Sequence, residues 1–265
     1  MRNKTEFPIL HNIRPVISFI LLGVIAHAFS IQAATLPFEN DFNGGTTDLT
    51  LSAETNSSWS ISSGALRLSI VDNAGPTASS ASTSFPDIDG SSNSSFTLQT
   101  DFTVTGTVNS FLFTGFMVLG NDDDPDFNGY LAETRFETGE MRIKRVGAGG
   151  RTLVDTTFSP FTAGETYTAT VDGVYGNNGP SGEDSLDLTY TISGGDLLSS
   201  RQVVGKDEDG ASLLSGEHFG LRNRINDTTG VEVAFDNLTV IPEPSSILLV
   251  LIGLISGMLV LRRRK

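Results

Sequence analysis

The chain has 265 residues, with 31 acidic against 17 basic side chains and no cysteine, which allows one large domain or two small ones and excludes any disulfide staple. The basic residues concentrate at the ends: residues 35–240 keep 10 of them against 29 acidic ones, a formal charge of −19. A field of that sign repels phosphate backbones and predicts no nucleic-acid partner. His218 is the one histidine of that stretch, so poly-histidine zinc sites and most histidine-dependent triads are excluded as well.

Residues 1–34 read as a secretory leader. Basic residues Arg2, Lys4 and Arg14 precede the apolar run Val16–Phe29, and the small residues Ala33 and Ala34 follow it, the order that an export signal and its cleavage site need. As an N-terminal membrane anchor the apolar run is short.

Residues 35–240 read as one all-β domain. Apolar and polar residues alternate over Ala65–Val71, Phe96–Val104, Met141–Val146, Tyr167–Val171, Leu186–Ile192 and Val231–Val240, the period of half-buried antiparallel strands. Turn formers separate these runs at Asn43-Gly44-Gly45, Ser63-Gly64, Asn128-Gly129, Gly149-Gly150, Asn178-Gly179-Pro180 and Gly194-Gly195. So many short strands in about 200 residues predict a two-sheet antiparallel β-sandwich. Several phrases fall in the order of a concanavalin A-like, laminin-G-like jelly roll, which the body resembles: Phe38–Phe42, Trp59–Leu68, Thr114–Val118, Gly139–Ile143, Gly164–Thr168, Phe219–Arg222 and Phe235–Val240. The resemblance implies a calcium ion where an N-terminal strand meets the last one, with Glu39 and Asp236 in the matching places. The same two residues read equally as a water-facing side chain and a turn cap.

Between two predicted strands, Asn121–Gly129 is the densest acidic stretch. Its carboxylates at Asp122, Asp123, Asp124 and Asp126 repel one another unless a cation or water relieves them. Asp122, Asp124, Asp126, Asn128 and Glu133 have EF-hand spacing, but Phe127 stands where that motif needs glycine, so the two readings are a calcium loop of another kind and a solvated acidic turn. Tyr130, beside these turn formers, is expected to offer a ring for sugar stacking, with Asp124, Asp126 and Asn128 bonding hydroxyls around it. Trp59 suits a core position, Tyr175 in the Asn/Gly loop is the second candidate ring for sugar stacking, and most of the 17 Phe are expected to fill the sandwich. No stretch matches the Glu-x-Asp-x-x-Glu strand of sandwich-type glucanases, so a catalytic carboxylate pair is not expected.

The chain ends with Pro242-Glu243-Pro244, an uncharged run over residues 245–261, and Arg262-Arg263-Arg264-Lys265. As a helix that run spans ~26 Å, enough for a thin bilayer, and the basic cluster sets its cytoplasmic side. This order resembles the PEP-CTERM sorting signal of Gram-negative bacteria. The resemblance implies that residues 241–265 are recognised at Pro242, Glu243 and Pro244 by an exosortase that removes the helix. The expectation is an exported, surface-sorted, noncatalytic β-sandwich that binds or adheres to extracellular polysaccharide. A purely structural envelope protein and a divergent glycoside hydrolase are the alternative readings.

Overall fold

The computed structural model describes residues 38–53, 57–70, 77–85, 95–108, 111–121, 127–147, 149–176, 184–208, 216–226 and 230–242. The predicted leader, Asp122–Asp126 and the predicted sorting helix lie outside them. All described residues belong to one unit, Leu36–Lys265.

Among the described residues every regular element is a strand: β1 (Phe38–Asn40), β2 (Thr50–Ala53), β3 (Ser57–Ser62), β4 (Ala65–Ile70), β5 (Thr77–Ser84), β6 (Phe96–Thr105), β7 (Phe111–Gly120), β8 (Gly129–Arg135), β9 (Glu140–Val146), β10 (Arg151–Thr157), β11 (Thr166–Gly176), β12 (Ser185–Gly194), β13 (Arg201–Asp207), β14 (His218–Asn226) and β15 (Glu232–Pro242). They form two antiparallel sheets. One has the order β13-β12-β11-β6-β15-β4-β3, with β1 also paired to β15. The other runs β10-β9-β8-β7-β14-β5-β2. No helix long and apolar enough to cross a membrane occurs among the described residues.

Side-chain alternation determines which residues form the core. Leu186, Leu188, Tyr190 and Ile192 on β12, and Leu98, Phe102 and Val104 on β6, face inward and meet Phe116, Val118, Ala132 and Ile143 of the other sheet in one buried cluster. Ser63 and Gly64 both have positive φ, 53° and 72°, the backbone of the two-residue hairpin that joins β3 to β4. Trp59 on β3 is half-buried against this cluster, 6.3 Å from Phe235 between ring centroids, and its indole N–H donates to the Ser52 carbonyl at 3.0 Å. Tyr175 likewise packs against the cluster as a half-buried ring.

One boundary and one strand differ from expectation. β15 runs through Ile241 to Pro242, which pairs with Phe96, two residues past the predicted end of the sandwich. Proline lacks the N–H, yet its fixed φ suits the last residue of a strand. β5 is built from Thr, Ala and Ser and has no apolar alternation to betray it. It is nonetheless an interior strand, paired with β14 on one side and β2 on the other.

Candidate functional site

The residues expected to bind calcium at the chain ends lie at the paired β1–β15 edge but not opposite one another. β1 does meet β15, but the register sets Glu39 opposite Thr239, while Asp236 lies opposite Asp101 of β6. Oδ1 of Asp236 accepts the Asn237 N–H at 2.7 Å, and the Asp101 carboxylate accepts from Asn237 Nδ2 at 2.9 Å and Thr168 Oγ1 at 2.6 Å. Among the described residues no three Asp, Glu or His side chains come together.

Tyr130 corrects the sequence reading. Its position in β8 turns it inward, where it is 0% exposed and its hydroxyl donates to Asp207 Oδ2 at 2.9 Å. Arg145 and Arg151 complete this internal knot, donating to the same carboxylate at 3.3 and 2.6 Å. A ring held there has no face for a sugar. Asn128 lies nearby but is exposed, and its N–H donates to Asn121 Oδ1 at 2.7 Å while the Asn121 N–H donates to the Asn128 carbonyl at 3.0 Å. These bonds close a stem between the end of β7 and the start of β8. Next to the stem, Phe127 packs with Met117, Leu131 and Val146 in a second apolar cluster, on the outer face of the seven-stranded sheet.

That outer face carries the chemistry which the sequence reading missed. Three rows cross it. The first joins Arg224 on β14, Phe113 on β7, Arg135 on β8 and Glu140 on β9. The second joins Arg222, Gly115, Glu133, Arg142 and the exposed Asp155 on the edge strand β10. The third joins Gly220, Met117, Leu131 and Lys144. Residues two apart on a strand share a face, so Arg222 with Arg224, and Arg142 with Lys144, come from alternation alone.

Glu133 is the hub of these rows. It is 2% exposed, and its Oε1 accepts from Arg142 Nε at 2.9 Å and Nη2 at 2.7 Å. Arg222 Nη1 reaches Oε2 at 3.6 Å across the row position of Gly115, which has no side chain to obstruct it. A Cβ there would stand 2.1 Å from the Ala132 carbonyl oxygen. Arg142 also pairs with Glu140 at 3.1 Å, and its guanidinium lies 3.7 Å from the Phe113 ring centroid. Phe111 at the start of β7 is half-buried, edge-on to Phe113, with the Arg135 and Arg224 guanidinium groups 5.2 and 5.7 Å from its centroid. Arg135 pairs with Glu137. Burial first, and then neighbouring Arg142, pushes the Lys144 ammonium below the usual lysine range, Arg222 and Arg224 adding to the push against the pull of Glu133.

Two antiparallel sheets in this order make a lectin-type jelly roll. Solved structures share the fold: a Lotus tetragonolobus seed lectin at 12% identity and TM-score 0.52, covering 79% of this chain and 100% of the lectin, and lectin I of Ulex europaeus, solved with the methyl glycoside of α-L-fucose, at 12% and 0.53, covering 77% and 96%. The CBM2 module of the evolved Dit of Lactobacillus casei BL23 phage J-1 is similar at 14% and 0.56, covering 77% and 93%. At such identities the likeness is one of fold. The sequence matches no family model and no curated protein.

Proposed function

We propose that this chain is an exported, noncatalytic glycan-binding sandwich, and that the outer face of its seven-stranded sheet is the binding surface. The observation that carries the reading is the pairing of half-buried Phe111 with Arg135 and Arg224 above a floor of Phe113 and Arg142. An aromatic ring buries the C–H face of a pyranose while guanidinium groups bond its oxygens. Lectins and a carbohydrate-binding module of the same fold, one of them solved with a fucose glycoside, support the class of ligand. Retention of the full chain in native gels cast with the host's own extracellular polysaccharide tests it. Slowed migration is expected, and migration equal to that in a blank gel contradicts it.

Sorting by an exosortase to the cell surface or extracellular matrix rests on Pro242-Glu243-Pro244, the apolar run and the basic end. Membrane contact is then confined to residues 245–261 before processing. Intact-mass measurement of the protein from its native envelope is expected to place the mature C-terminus close to Ile241–Pro244, at the end of β15. A mature chain that still ends at Lys265 contradicts it.

Calcium is proposed at Asp122, Asp124 and Asp126, on the density of carboxylates in the sequence. Binding to the folded state alone adds about 2.7 kcal/mol at a hundredfold excess over Kd. The melting midpoint is therefore expected to fall when calcium is replaced by chelator, and the difference to vanish in Asp124→Ala. An unchanged midpoint rejects calcium. A shift lost in Asp236→Ala and kept in Asp124→Ala moves it to the β1–β15 edge.

A further inference from the structure

We infer that the glycan is anionic, a polysaccharide bearing carboxylates on its sugars, and that Lys144 and Arg224 are the groups that select it. The inference rests on the glycan-binding reading above and specifies its ligand. Its basis is where the charge lies. Residues 35–240 hold 10 basic side chains against 29 acidic ones, yet five of those 10, namely Arg135, Arg142, Lys144, Arg222 and Arg224, lie on one face of one sheet. A body of that charge repels an anionic polymer everywhere else.

The acidic groups on this face leave part of that charge uncompensated. Glu133 and Glu140 take Arg142, Glu133 also faces Arg222, and Glu137 takes Arg135, while Asp155 stands at the exposed edge. Among the described residues Lys144 and Arg224 hold no carboxylate partner, and both are half-buried. Like charges at close range in a partly desolvated surface are costly, and the downward push on Lys144 comes from burial and those neighbours. An incoming carboxylate relieves that repulsion and accepts charge-assisted bonds from a guanidinium. A neutral sugar does neither. Phe111, flanked by Arg135 and Arg224, sets a ring beside the charge, which fits a pyranose whose carboxylate lies at its edge.

The test compares two soluble probes of matched length, polygalacturonate and dextran, titrated calorimetrically into the full chain in mild detergent at low and high salt. Polygalacturonate is expected to bind, to weaken steeply as salt screens the contact, and to outcompete dextran. The double variant Lys144→Gln/Arg224→Gln, which breaks no ion pair, is expected to lose about tenfold or more in affinity for polygalacturonate, two charge-assisted bonds being removed, with its melting midpoint unchanged. Equal binding of the two probes overturns the anionic inference and leaves the glycan reading standing. Binding of neither overturns both. Polygalacturonate binding undiminished in the double variant overturns the assignment to Lys144 and Arg224. Low-salt sedimentation that shows dimers lost in that variant, without polygalacturonate binding, overturns it in favour of a second copy as the anion.

Discussion

Replacing Asp207 with alanine is expected to cost about 3–5 kcal/mol, the largest loss of any substitution considered, because it removes a buried carboxylate to which a buried guanidinium donates. Asp207 is 0% exposed and is the shared acceptor for Tyr130, Arg145 and Arg151. Arg151 is 42% exposed on its side chain and regains water easily, but the Arg145 side chain is 6% exposed, so its guanidinium stays buried with that carboxylate gone. Tyr130→Phe removes one hydrogen bond and keeps the ring, and is expected to cost about 1 kcal/mol. Urea unfolding of the two variants checks the ordering. A loss under about 1 kcal/mol for Asp207→Ala contradicts the knot as a structural element. Tyr130→Ala in turn reports on stability rather than on ligand binding, since its ring is part of the core.

The second large effect belongs to Glu133. Its removal leaves Arg142 and Arg222 crowding one another on a floor where Gly115 offers no side chain to separate them. Because Arg142 keeps Glu140, Glu133→Ala is expected to cost about 2–3 kcal/mol, below the range for a buried pair left wholly uncompensated. Glu133→Gln retains the shape and acceptor oxygen while deleting the charge, so it is expected to be the milder change in urea unfolding. It is also expected to strengthen polygalacturonate binding, since one of the face's own competing carboxylates is gone. Weaker polygalacturonate binding in Glu133→Gln contradicts the charge argument.

How much of this was legible in sequence follows from parity and pairing. Strands with one wet and one dry face, such as β12 and β6, are readable from alternation, and Ser63-Gly64 announces its own turn. β7 shows no alternation because both of its faces are apolar: Leu112, Phe116 and Val118 enter the main core, while Phe113 and Met117 lie outside it. Tyr130 was misplaced by its neighbours. Asn128 and Gly129 suggest a loop, but the parity of β8 sends Leu131, Glu133 and Arg135 outward and therefore Tyr130 inward. Arg142-Ile143-Lys144 and Arg222-Asn223-Arg224 each show a basic stripe at period two. Alternation reveals that much. That the two stripes share one surface depends on β14 pairing with β7, a contact between segments about 100 residues apart that no local pattern encodes.

The central claim is that the outer face of the seven-stranded sheet binds the glycan. NMR of the isotope-labelled chain, titrated with the host's extracellular polysaccharide, tests it residue by residue. Shifts are expected to gather at Phe111, Phe113, Lys144 and Arg224, and to leave the amides around Glu39 and Asp236 at the β1–β15 edge unmoved. Shifts confined to that edge or to the eight-stranded sheet, or none at saturating polysaccharide, would contradict the account.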